Sequence, residues 1–176
     1  MIYPIYTYGQ DILRTKAEDI DIKDPNLTSI ILDMYQTMHN AKGVGLTAPQ
    51  IGINKKLIVI DEEIADGQFF RIVLLNPKIL SYAMHTNTMS EGCLSLPGIS
   101  VQINRPAGMD VEWYDEDGKY HRKIFTGVPA RILQHEIDHL DGTLFTDRIH
   151  PVDKMKIFMQ LEDIKNKKVE TSYLIL

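Results

Sequence analysis

Cysteine is almost missing from this chain: its 176 residues include one, Cys93. A lone cysteine cannot close an intramolecular disulfide. That sets aside the stapled architectures of small secreted domains and fits a reducing compartment. Long apolar runs are missing too, and nothing approaches the roughly 20 residues needed to span a bilayer. The first residues, Met1 to Arg14, lack the basic start and continuous apolar stretch of a secretory signal. There is no surplus of positive charge. The formal net charge is −5, which disfavours broad contact with a phosphate backbone. These absences point to a cytoplasmic protein with neither DNA nor membrane among its partners. Tryptophan is single as well, and Trp113 is expected to pack in a hairpin rather than to take part in chemistry. What remains is ordinary for a globular protein, 44% hydrophobic and 24% charged. The length predicts a single domain over 1–176 with a real core.

Against that background one segment stands out, His135-Glu136-Ile137-Asp138-His139. Histidines at i and i+4 stack on one helix face, so both imidazoles can reach one metal ion. The intervening Glu136 can handle a proton from the attacking water. The flanks favour a helix. Thr126 can cap its start and Pro129 sits in its first turn. Ile132, Leu133, Ile137 and Leu140 fall at helical spacing, and Gly142 is a natural stop. A charged amphipathic helix with surface histidines would show the same letters, so the motif needs a further ligand.

Two histidines leave a catalytic metal one protein ligand short. Extending the pattern to a third histidine fails, because Phe145 stands where it would be. Glu162 is open as a ligand from a helix expected at about 151–167. Cys93 is open as a thiolate, within Glu91-Gly92-Cys93-Leu94-Ser95-Leu96-Pro97. A free cysteine is usually a small buried hydrophobe. Here Gly92 before it and Pro97-Gly98 after it predict a strand end or turn instead. Bound to a divalent metal, the sulfur would be deprotonated, and one thiolate with two neutral imidazoles leaves about one net positive charge. That donor set suits Zn(2+), iron, Co(2+) or Ni(2+) without choosing among them.

Elsewhere, Asp24-Pro25 opens a helix in which Leu27, Ile30, Ile31, Met34 and Met38 recur at three and four residues, with Gly43 beyond its end. Leu57 to Asp61 and Phe70 to Leu75 read as strands, with Asp66-Gly67 as a turn signal between them. Gly108 to Tyr114 and Lys119 to Phe125 form a hairpin across Asp115-Glu116-Asp117-Gly118. The order of helix, strands, helix, helix predicts an α+β fold: antiparallel sheets packed around a central metal-binding helix, with an N-terminal and a C-terminal helix.

Three motifs together resemble those of the peptide deformylase family. They are Gly43-Val44-Gly45-Leu46-Thr47-Ala48-Pro49-Gln50, Glu91-Gly92-Cys93-Leu94-Ser95, and Gln134 to Gly142. They occur in the family's order, and Pro4-Ile5 through Leu13-Arg14 extend the resemblance over nearly the whole chain. One departure is Thr47, where the family more usually has alanine, and a local packing difference is expected there.

The resemblance implies hydrolysis of the formyl group from the N-terminal formylmethionine of nascent polypeptides, releasing formate. It implies Cys93, His135 and His139 as metal ligands, with Fe(2+) as the working ion and zinc readily found in purified material. Glu136 is then the proton carrier, and Gln50 with the backbone N–H of Leu94 donates to the developing oxyanion. By itself Gln50 would read as an exposed loop residue. Backbone groups of Val44, Gly45 and Gly92 are implied to pair with the substrate peptide as an added strand. Gly45 permits close approach of the two main chains. Gly43-Val44-Gly45 alone carries no phosphate-loop lysine. Val44, Val128 and Ile132 are candidates for the apolar slot that takes the methionine side chain. Glu91 and Arg105 are a candidate ion pair behind Cys93.

Lys154, Lys156, Lys165, Lys167 and Lys168 mark a candidate weak ribosome contact, although Asp153, Glu162 and Asp163 dilute it toward an ordinary solvated face. Two other readings stay on the table. One is a metallopeptidase using Glu162, and the other is a structural metal module, which would need a fourth protein ligand that does not present itself.

Overall fold

The computed structural model describes residues 1–65 and 67–176, so the expected Asp66-Gly67 turn lies partly outside the described residues. The chain opens with a short 3-10 turn at Asp11–Arg14 and continues into helix α1, Leu27–Asn40. Strands follow at β1 Gly45–Thr47, β2 Leu57–Ala65, β3 Gln68–Tyr82, β4 Thr86–Cys93, β5 Leu96–Pro106, β6 Gly108–Tyr114 and β7 Tyr120–Thr126. Helix α2 covers Gly127–Leu140, and two short helices, α3 Pro151–Lys156 and α4 Phe158–Lys165, come last. The fold is α+β with wholly antiparallel pairing between these strands.

Among the described residues, one sheet has five strands in the order β1-β2-β3-β6-β7, and β4 pairs only with β5. The apolar run Leu57-Ile58-Val59-Ile60 is completely buried because both faces of the large sheet are covered. Alternation divides it. Leu57 and Val59 join α1 residues Ile31, Met34 and Met38 in one core. Ile58 and Ile60 join Ala130, Leu133, Ile137 and Leu140 of α2 in another. A third cluster packs Leu96, Ile99 and Ile103 of β5 against Phe145, Leu161 and Ile164. Helix α2 therefore has neighbours around it, and every residue from Leu133 to Leu140 is buried.

Several expectations shift in detail. The single terminal helix expected at 151–167 is two helices, broken at Ile157, whose backbone (φ −100°, ψ 2°) leaves the helical range. Thr126 stands at the N-cap of α2 in extended conformation, but its side chain caps nothing. Strand β3 runs further than its apolar stretch because irregular register carries it past Asn76 and Pro77. Asn76 has φ +50°, and its side-chain amide bonds both Ile20 N–H and Ile20 C=O. Trp113 packs as expected in the β6–β7 hairpin, stacked on His121.

Candidate active site

The chemical groups of the site are delivered by three separate pieces of local structure. Cys93 ends β4, where a register shift between Gly92 and Cys93 breaks the ladder with β5. The bulge turns its side chain out of the sheet pattern. His135, Glu136 and His139 come from the buried middle of α2. Gln50 comes from the short 3-10 turn Ala48–Ile51 that follows β1.

The helix and the bulge meet. One ligand atom from each of Cys93, His135 and His139 lies within 4.8 Å of the others, with Cys93 Sγ 3.2 Å from His139 Nε2. His135 Nδ1 sits 2.9 Å from Glu91 Oε2, which leaves Nε2 free to ligate. A carboxylate behind a ligating imidazole fixes its tautomer and orientation. His139 Nδ1 is buried with no partner among the described residues. Burial opposes charge on His139, and the nearby cations His135 and Arg105 add to this. Its proton affinity falls well below the ordinary imidazole range, and the neutral form is what a ligand needs. Burial also opposes charge on His135, but Cys93, Glu91 and Glu136 outweigh it and raise its affinity for a proton. Sulfur plus two imidazoles brought together in this way is a donor set that fits a divalent metal.

Behind the cluster is a buried ionic network. Arg105 clamps Glu91 through two bonds of 2.6 and 2.8 Å and reaches Asp138 at 2.6 Å. Arg131 adds a bond to the same carboxylate at 2.9 Å, and Arg148 pairs with Asp138 from outside. Burial pushes the Glu91 carboxyl upward, but Arg105, His135 and Arg131 overcome this and hold it well below the ordinary carboxylate range. Only the Glu91–Arg105 pair was legible in the sequence. Arg131 and Asp138 look like surface residues of an amphipathic helix until the packing buries them.

Glu136 is the counterpart. Burial, with Glu91 nearby, pushes its carboxyl up to about 7 against the pull of His135 and Arg105. Its Oε2 is buried without a partner among the described residues. Gly45 faces it so closely that a Cβ there would collide with the Glu136 carboxylate. Gln50 is buried, with both ends of its amide near partners. Its Oε1 accepts from Thr47 N–H at 2.9 Å and Thr47 Oγ1 at 3.1 Å. Its Nε2 donates to Ser95 Oγ at 3.1 Å and approaches Cys93 Sγ at 3.6 Å. The Thr47 hydroxyl adds a second bond to the amide oxygen that the Thr47 N–H already holds. Ser95 is a further neighbour that sequence reasoning missed.

A cavity of about 590 Å³ opens over these groups, lined in part by Val44, Gly45, Gly92, Leu94 and Glu136. A smaller one of about 140 Å³ adjoins it, with Val44 and Ile132 in its wall. Val128, in the first turn of α2, is exposed and lines neither.

The sequence and the fold have known counterparts. A model of the polypeptide deformylase family matches residues 2–155. The chain belongs to that family.

Among relatives, a peptide deformylase of Chlorobaculum parvum is 42% identical over 177 residues, covering 98% of this chain and 93% of that protein. One from Christiangramia forsetii is 37% identical, covering 98% and 94%. Among solved structures, a plant peptide deformylase superposes with a TM-score of 0.88 at 38% identity over 94% of this chain and 90% of that one. A Legionella pneumophila peptide deformylase gives 0.85 at 36% identity over 96% and 98%. Deformylases are metal-dependent hydrolases that remove the N-formyl group from new polypeptides, and this chain carries that activity. Glu162, the alternative ligand, lies on α4, and it is absent from the cluster able to hold a metal among the described residues. Among the described residues, no helix is long and apolar enough to cross a membrane.

Proposed function

We propose that Cys93, His135 and His139 hold one divalent metal, Fe(2+) in the cell, in a single catalytic unit built from the whole chain and working in the cytoplasm. The observation that carries this reading is their convergence beside the unpartnered Glu136 carboxylate. When bound, the metal supplies a Lewis acid for the formyl oxygen and a lowered pKa for the attacking water.

The chain's own groups do the rest. Glu136 takes the water's proton and later hands it to the departing amine nitrogen, a task suited to a carboxyl near 7. Gln50 Nε2 and the Leu94 N–H donate to the oxygen as it becomes negative. Thr47 holds the Gln50 amide in the donating orientation. Strand β1 is an edge strand, so the substrate's main chain can add beside Val44 and Gly45, with Gly92 opposite. Backbone pairing of this kind tolerates varied sequence after the first residue. Val44 and Ile132 line the slot for the methionine side chain, and Val128 lies outside it.

The partners are formylmethionyl peptides and nascent chains. The terminal lysines are a solvated face with at most weak ribosome contact, because Lys154 and Lys156 have carboxylate partners in Asp147 and Asp153.

The test is formate release from a formyl-Met peptide by protein purified without oxygen, with the unformylated peptide as control. Cleavage of the control, or metal that survives Cys93→Ala but not Glu162→Ala, overturns the reading.

A further inference from the structure

Residues 170–176 fold back over the molecule and are held along the N-terminal segment. Ile5 N–H donates to Leu174 C=O at 2.8 Å, and Leu176 N–H donates to Ile5 C=O at 2.9 Å. The Thr7 backbone N–H and hydroxyl both donate to Leu176 C=O, at 3.1 and 2.8 Å. This stretch lies beyond the residues that the family model matches. Yet Glu170, Thr171 and Tyr173 form part of the wall of the main cavity.

Within the strap, Tyr173 makes a directed contact. Its hydroxyl donates to Leu94 C=O at 2.8 Å. That carbonyl belongs to the same peptide group as the Ser95 N–H, which donates to Cys93 Sγ at 3.4 Å. One planar amide therefore joins the phenol to the sulfur, and anchoring its oxygen fixes the direction of its N–H. Hydrogen bonds in series also polarise one another, so a donor at the oxygen strengthens the bond at the nitrogen. Ser95 itself is further held by Tyr8 N–H to its C=O at 2.9 Å and by Gln50 to its Oγ at 3.1 Å. The partly buried Tyr173 ring packs against the α1 core, which limits its freedom to leave.

We propose that Tyr173 is a positioning residue for the metal centre, acting through the Leu94–Ser95 peptide on the hydrogen bond to the Cys93 sulfur. The C-terminal strap thereby helps set how firmly that sulfur holds its metal and how much electron density it donates. This rests on the reading of Cys93 as a ligand.

The experiment uses metal-stripped full-length protein loaded with Co(2+). In the wild type a sulfur-to-cobalt charge-transfer band is expected in the near ultraviolet, lost in Cys93→Ala. Tyr173→Phe keeps the ring and removes only the hydroxyl. Its band should move to lower energy, because a sulfur with a weaker hydrogen bond gives up electrons more readily. Cobalt release into a chelator should quicken by about 3- to 10-fold, less than the 10- to 100-fold typical of groups bonded directly to a ligand. Tyr120→Phe, whose hydroxyl bonds Glu112 in the distant hairpin, is the control and should change neither. An unmoved band in folded Tyr173→Phe overturns the proposal even if release is faster, since that marks only a looser loop. A wild type without the band overturns the ligand reading together with the proposal, so the two failures are told apart.

Discussion

The environment of Glu136 sets what single substitutions should do. Its carboxylate is pressed against Gly45 and shielded from water, and its charge is disfavoured there. Glu136→Ala is expected to keep its metal while turnover falls by at least the about 10²–10⁴-fold ascribed to general acid–base catalysis. Metal analysis beside steady-state kinetics checks both halves, and a metal-loaded variant of comparable activity would remove the residue from the proposed chemistry. Gly45→Ala makes a sharper case. The added methyl must displace the Glu136 carboxylate, and a shift of about 1 Å can cost on the order of 10²-fold in rate. The loss should fall on kcat with metal content unchanged. Gln50→Leu should lower the rate by about 10²–10³-fold, the usual cost of one oxyanion donor. Unaltered kinetics in that variant would exclude Gln50 from the mechanism.

Elements matter because the ligands come from separate pieces that must be locked together. Strand β4 supplies Glu91, β5 supplies Arg105, and α2 supplies Arg131, His135 and Asp138. Their ion pairs are almost wholly buried, unlike the surface pairs of this chain. Removing one partner of a buried pair leaves the others uncompensated, at about 3–5 kcal/mol. Arg105→Ala should therefore unfold at markedly lower urea and lose metal faster, as read by denaturation curves and chelator competition. Wild-type metal retention would argue against the supporting role.

A second tie, Arg14 to Asp147, joins the N-terminal turn to the segment after α2. Burial raises the Asp147 carboxyl, but Arg14, the Leu144 N–H and Lys154 bring it below its ordinary value. A lowered folded-state pKa adds stability above the unfolded value, and that stability fades as pH falls through the folded value. The stability gap between wild type and Asp147→Asn should accordingly be full at about pH 6 and shrink below about pH 4. A gap independent of pH would show that the pair contributes no charge-dependent stability.

For the whole molecule, the metal is expected to act as a ligand for the native state alone, because Cys93 is far along the chain from His135 and His139 and meets them only on folding. Native-state binding raises apparent stability by mass action, about 2.7 kcal/mol at a hundredfold excess over the dissociation constant. Removing the metal should lower the melting temperature, and re-adding it should restore the loss in the wild type but not in Cys93→Ala. Equal melting of metal-free and metal-loaded protein would mean that the ion does not bridge α2 and β4.

Much of this was legible in the sequence where the signal is local. Helical spacing located α1 and α2, alternation and turn residues located the β6–β7 hairpin, and Gly92 with Pro97-Gly98 located the break at Cys93. Strands β1, β4 and β5 left little trace. Strand β1 is three residues long, and β4 is mostly polar because just one of its residues, Glu91, is buried.

The residue types determined the chemistry on offer: one sulfur, two imidazoles on a helical turn, and a carboxylate between them. Sequence could not decide whether Glu162 or Cys93 stood nearer the histidines, which charges were buried, or where the terminal segment came to rest. Those depend on contacts between residues distant in the chain, and chain distance says nothing about them until the cores have packed. Burial is what turns Glu91, Arg105, Arg131 and Asp138 from solvated charges into a frame, and burial belongs to the folded molecule.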